Sequence, residues 1–133
     1  MLIMADGKPI RILIVDNHSL VREAMSRLIN IQSDMEVVGE AANGKVAVDS
    51  YENFSPDVTL MDLSMPVMNG IDAVRTIRQQ HPDARFIILS AYDFPEDIQK
   101  STQAGAVAYL LKDTAREKLV RVIRDVHQGQ KFL

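Results

Sequence analysis

The sequence predicts an α/β domain of three layers, a five-stranded parallel sheet covered by helices on both faces. Three observations carry that expectation. Five short runs rich in β-branched and aliphatic residues recur along the chain, too short for helices, and the first is almost wholly apolar, as a strand buried on both faces is. Alternating with them are five segments whose apolar residues return at helical spacing. The 133 residues, 47% apolar and 25% charged, suit one globular domain that buries roughly two-thirds of its unfolded surface.

The elements follow in order. Ile10 to Val15 is an apolar β-branched run and the first strand. Leu20, Val21, Ala24, Met25, Leu28 and Ile29 then mark a helix with Arg22, Glu23, Ser26 and Arg27 between them. Met35 to Ala41 reads as the second strand, and Asn43-Gly44 turns the chain into a helix carrying Val46, Ala47 and Tyr51. Pro56 stops that helix, Asp57 to Met61 is the third strand, and Asp62 ends it. A loop from Pro66 to Gly70 opens a helix with Ile71, Val74 and Ile77 on one side, broken by His81-Pro82. Arg85 to Leu89 is the fourth strand, closed by Ser90 and followed by a weak helix around Glu96 to Gln103. Ala106 to Leu111 is the fifth strand and stops at Lys112. Thr114 and Glu117 have the spacing of a capping box and open a last helix through Leu119, Val120, Val122, Ile123 and Val126, with Gly129 at its end. Parallel strands joined through helices require right-handed crossovers.

Composition removes several function classes. The chain has no cysteine, which excludes disulfide frameworks, thiolate metal sites and cysteine nucleophiles. Lys and Arg number 15 against 18 Asp and Glu, a net charge of -3 that argues against a nucleic-acid face on this domain. The longest apolar stretch, Ala104 to Leu111, is far short of the roughly 20 residues of a spanning helix. Residues 1–9 read as a leader, 10–130 as the domain and 131–133 as the start of a linker. A cytoplasmic protein is expected.

In open parallel sheets, ligands bind beyond the carboxyl ends of the strands. The residues that follow the apolar runs there are Asp16 and Asn17, Asp62, Ser90 and Lys112. No phosphate-cradling glycine loop accompanies them, which weakens dinucleotide and NTPase readings. A carboxylate can attack phosphorus and form an aspartyl phosphate, provided positive charge offsets the meeting of two anions. Mg²⁺ suits that role, held by one or two carboxylates, water and phosphate oxygens. Asp62 is the candidate nucleophile, Asp16 a metal-side carboxylate, Lys112 the counter-cation and Ser90 a hydroxyl donor to a phosphoryl oxygen.

With these residues in place, the sequence resembles a response-regulator receiver domain of bacterial two-component signalling over essentially Ile10 to Gln130. The matching pieces are ILIVDNHSLVREAM (12–25), DVTLMDLSMPVMNG (57–70), IILSAY (87–92) and GAVAYLLKD (105–113). The AYLLKD and VREAM wording is most similar to the NarL/FixJ (LuxR-type) subfamily, which usually carries a C-terminal helix-turn-helix output domain. The resemblance implies a flavodoxin-like, doubly wound (βα)5 sandwich with strand order 2-1-3-4-5. It implies that Asp62 accepts a phosphoryl group from a sensor histidine kinase, that Ser90 and Lys112 contact that group, and that Tyr109 is the switching aromatic. Asp16, Asn17, Asp62 and the Ser64 backbone carbonyl are implied as the Mg²⁺ site. Pairing of two activated copies is implied too, with DNA contacted only through an output domain outside this chain.

One position departs from the family pattern. The second of two adjacent acidic residues is Asn17 here, so the site is one charge short. A unit charge about 4 Å from a dication is worth several kcal/mol at an effective dielectric near 20, before water repays part of it. Weaker Mg²⁺ binding or slower phosphorylation is expected. Asn17 is equally suited to cap the helix that follows. Tyr109 is as readily a packing residue as a switch, and Ser90 could cap the next helix. His18, His81 and His127 show no metal-ligand spacing, with His18 alone near the pocket. Tyr92 is placed to shield an acyl phosphate. Asn17 also supports a second reading, a degenerate receiver that binds partners without phosphate. A haloacid-dehalogenase-type phosphohydrolase needs an Asp where Ser64 stands, and a flavodoxin-like cofactor binder needs a phosphate loop that is missing.

Overall fold

The computed structural model describes residues 7–133, so most of the expected leader lies outside the described residues. Ten elements alternate: β1 (Ile10–Val15), α1 (Ser19–Asn30), β2 (Met35–Ala41), α2 (Gly44–Phe54), β3 (Val58–Asp62), α3 (Gly70–Gln80), β4 (Phe86–Ser90), α4 (Pro95–Ala104), β5 (Ala108–Leu111) and α5 (Arg116–His127). The strands form one sheet in the order β2-β1-β3-β4-β5, and every pairing is parallel. The chain therefore reverses direction along the sheet between β1 and β3, and the crevice above that point lies at the carboxyl ends of both strands.

Two apolar layers hold the sheet between its helices. On one face Ile12, Ile14, Leu60 and Ile87 pack with Ile29 of α1 and with Leu119, Val122, Ile123 and Val126 of α5. On the other, Leu13, Val15, Met61, Phe86 and Ile88 meet Ala47 and Tyr51 of α2 and Ala73, Val74 and Ile77 of α3. β3 and β4 are buried along their whole length. Continuous apolar runs suit strands covered on both sides, and each such Ile, Leu or Phe contributes about 1.5–3 kcal/mol by leaving water.

Local chemistry shifts several expected boundaries. Asp57 stays outside β3 because its side chain accepts from the Arg11 backbone N–H at 2.9 Å, and pairing starts at Val58. β5 begins at Ala108, since the Ala106 N–H is still bonded to the Ser101 carbonyl that ends α4. The Thr114 capping box does not form. Thr114 closes a turn onto the Leu111 carbonyl at 3.0 Å, and Ala115 becomes the N-cap with no side-chain bond. α1 is capped by His18 and not by Asn17, and again without a side-chain bond. Ser90 does not cap α4 either; Phe94 takes that position. Asn43, in the turn before α2, caps that helix, its side chain accepting from the Val46 N–H at 3.0 Å. The apolar stripe of α1 is wider than the sheet can cover, which leaves Leu20 exposed. Among the described residues, no helix is long and apolar enough to cross a membrane.

Candidate phosphoacceptor site

β1 and β3 end side by side, Val15 against Met61, and each then delivers a carboxylate. The Asp16 and Asp62 side chains are 3% and 5% exposed, so neither has bulk water to neutralise it. One ammonium spans them: Lys112 Nζ stands 2.8 Å from Asp16 Oδ2 and 3.3 Å from Asp62 Oδ2. The lysine arrives there because the Lys112 N–H continues the β4–β5 ladder onto the Ser90 carbonyl at 2.8 Å.

The electrostatics follow from that crowding. Burial pushes the Asp62 carboxyl above its ordinary range and Asp16 adds to this, against the opposing pull of Lys112 and a bond from the Ser64 backbone N–H. Burial depresses the Lys112 ammonium, but the bonds and charges of Asp16 and Asp62 outweigh it and hold the group above the ordinary lysine range. Two carboxylates sharing one ammonium leave the pocket short of positive charge. That is the donor set and the charge deficit that a divalent cation satisfies.

The pocket opens into a groove of about 890 Å³ whose lining includes Asn17, His18, Ser64, Ser90, Tyr92 and Lys100. Asn17 and Ser64 are both exposed on its wall. Ser90 is buried, and its Oγ accepts from the Tyr92 N–H at 3.3 Å. Tyr109 lies one strand over, packed against the α2–α4 side of the core, and its hydroxyl donates to the Tyr92 carbonyl at 2.7 Å. Tyr92 itself stacks on Phe94 with ring centroids 5.3 Å apart. The hydroxyl, the loop after β4 and the aromatic on β5 are thus joined through Tyr92.

Asp16, Asp62, Lys112 and Ser90 therefore meet as the strand ends foretold, with Asn17 and Ser64 beside them and Tyr109 linked through a loop. Two further contacts were not legible, that of His18, which the sequence placed only near the pocket, and that of Arg22. The His18 ring Nδ1 lies 3.2 Å from Asp16 Oδ1, and Asp16, His18 and Asp62 each offer a ligand atom within 4.8 Å of the others. Arg22 donates to the Asp16 backbone carbonyl at 2.6 Å while its Nε reaches Glu40 at 3.2 Å, tying down the backbone that carries Asp16. The one available signal was spacing, since Arg22 stands one helical turn beyond His18, which caps α1.

Comparison with known proteins shows the family. A family model described as the response regulator receiver domain matches residues 12–124. The uncharacterized transcriptional regulatory protein YhcZ of Bacillus subtilis is 47% identical over 120 residues, which cover 90% of this chain and 56% of that protein. The nitrate/nitrite response regulator protein NarL of Escherichia coli is 34% identical over 130 residues, covering 98% of this chain and 60% of that protein. A two-component response regulator of the LuxR family from an Aurantimonas strain superposes with a TM-score of 0.88 at 35% identity, over 93% of this chain and 89% of that one. The chain thus spans little more than half the length of the curated relatives it matches. It belongs to the response-regulator receiver domains and, among them, to the NarL/LuxR type.

Proposed function

We propose that this receiver is a phosphorylation switch in which Asp62 takes a phosphoryl group from a sensor histidine kinase with the help of Mg²⁺. The observation that supports this most is the Lys112 ammonium held between Asp16 and Asp62 at the carboxyl edge of the sheet. An Asp62 oxygen attacks phosphorus as the phosphorus–nitrogen bond of the kinase phosphohistidine breaks, and the imidazole leaves and recovers a proton from water. Asp16, Asn17, Asp62 and the Ser64 carbonyl would hold the cation, which supplies charge to the transferring group. Lys112 releases Asp62 and pairs with one phosphoryl oxygen, and Ser90 gives up the Tyr92 N–H to donate to another. That movement withdraws support from the loop whose carbonyl Tyr109 holds.

Catalysis of transfer and of slow hydrolysis then belongs to the chain's own residues, with no separate substrate turned over. Tyr92, over the mouth of the groove, shields the acyl phosphate from water. The switched surface, by analogy with the transcriptional regulators to which the chain is similar, controls an output domain that contacts DNA and favours pairing of two activated copies. The setting of such a partnership is the cytoplasm. Incubation with a small phosphodonor and Mg²⁺ tests the reading: one phosphoryl mass is expected on Asp62, and none on Asp62→Asn. An unmodified wild-type chain that still binds its partners would instead assign the phosphate-independent module that Asn17 favours.

A further inference from the structure

We propose that His18 is a direct ligand of the cation in this pocket, and that its imidazole turns the site toward Mn²⁺ and related borderline ions and away from Mg²⁺. The inference deepens the metal-assisted reading above and rests on it. Asp16 divides its two oxygens. Oδ2 faces Lys112 at 2.8 Å, whereas Oδ1 receives both the His18 backbone N–H at 2.9 Å and the His18 ring at 3.2 Å. The backbone bond anchors residue 18, so a side chain that is 64% exposed nonetheless directs Nδ1 inward at the carboxylate.

The spacing suits a shared ion. Two ligand atoms each about 2.0–2.2 Å from one cation and at right angles stand about 3 Å apart. The His18 Nδ1 to Asp16 Oδ1 separation of 3.2 Å is close to that value, and Asp16, His18 and Asp62 each offer one ligand atom within 4.8 Å of the others. Opposed ligands on such an ion stand about 4.0–4.4 Å apart, so small side-chain rotations close the triangle.

The chemistry then selects the metal. Asn17 stands where the family pattern has a second acidic residue, so the site lacks one hard oxygen anion and holds a neutral nitrogen donor beside it. Mg²⁺ prefers oxygen and gives up its water reluctantly, while imidazole suits transition ions and carboxylate suits Mn²⁺ as well. A ring that now donates from Nδ1 to Asp16 must present a lone pair there instead, which it does by carrying its proton on the solvent-side Nε2.

Mn²⁺ bound to the chain, read by pulsed electron paramagnetic resonance, tests this directly, together with calorimetric titration of Mn²⁺ and Mg²⁺. The wild-type spectrum is expected to show coupling to a directly bound imidazole nitrogen, absent from His18→Gln. The same variant should lose about tenfold in Mn²⁺ affinity and less than about twofold in Mg²⁺ affinity. Because the His18 side chain is mostly exposed, the variant is expected to fold, and unchanged circular dichroism confirms it. Bound Mn²⁺ without nitrogen coupling, or equal losses for the two metals, overturns the His18 assignment and leaves the metal reading intact. No binding of either ion overturns both.

Discussion

At the scale of single residues, Asn17 and Val67 each stand where the local chemistry asks for something else. Asn17 neither caps α1 nor brings a charge to the pocket, and it lines the groove beside Asp62. Asn17→Asp is expected to tighten Mg²⁺ binding about tenfold or more, since even a third of the several kcal/mol available from an added charge corresponds to that factor. Calorimetric titration of both chains checks it. Val67 adopts φ 68° in the loop after β3, where the Met68 N–H reaches back to the Pro66 carbonyl at 2.7 Å. A turn of that hand is strained, and a β-branched residue there costs about 1–2 kcal/mol. The Val67 side chain contributes little in return, being 81% exposed. Glycine relieves the strain but gives the unfolded chain about 0.5–1 kcal/mol more entropy. Val67→Gly is therefore expected to raise stability by about 0.5–1 kcal/mol, read from the urea midpoint.

At the scale of elements, the loop between β3 and α3 is shaped by close backbone approach. The Gly70 N–H donates to the Leu63 carbonyl at 2.9 Å, and a Cβ on Gly70 would run into the Asp62 carbonyl oxygen. Gly70→Ala must push the loop off the end of β3, costing about 2–3 kcal/mol and displacing Asp62 and Ser64 together. Gly129, with open space around it, supplies the contrast: Gly129→Ala at φ 99° costs about 1 kcal/mol and should leave phosphorylation of Asp62 unchanged. Urea unfolding and the phosphodonor reaction, run on both variants, separate the two effects. This scale also shows what the sequence could and could not convey. Strand cores were legible because runs such as Phe86 to Leu89 fit only a doubly covered strand. Both ends of β1 and β2 were legible too, but the start of β3 was not, because Asp57 accepts from Arg11, a partner that exists only after the chain has folded. The sequence placed His18 near the pocket, but not the aim of its ring, for the same reason: that comes from a backbone bond to Asp16 that spacing alone does not announce.

At the scale of the whole molecule, α5 is fastened to the far edge of the sheet as well as to the strands beneath it. Arg124 grips Asp34, just ahead of β2, through Nε at 2.7 Å and Nη2 at 3.0 Å, a bidentate pair across ninety residues of chain. On the other side of the central strand, Arg85, just ahead of β4, donates to the His127 carbonyl at 2.7 Å and ties the end of α5 to β4. Asp34 is nearly buried and Arg124 is 41% exposed, so loss of the carboxylate strands a cation that water can still reach. The cost is accordingly placed at about 1.5–3 kcal/mol, below the figure for a fully buried pair. The Arg124 guanidinium holds the Asp34 carboxyl below its ordinary 3.8 and burial only partly opposes this. A lowered folded-state pKa makes the contribution fully present above 3.8 and lost as pH falls through the folded value. Asp34→Asn should therefore unfold at lower urea than the wild type at neutral pH, with the gap closing below pH 3.8. A gap that stayed constant into acid would show that the pair acts by packing and not by charge.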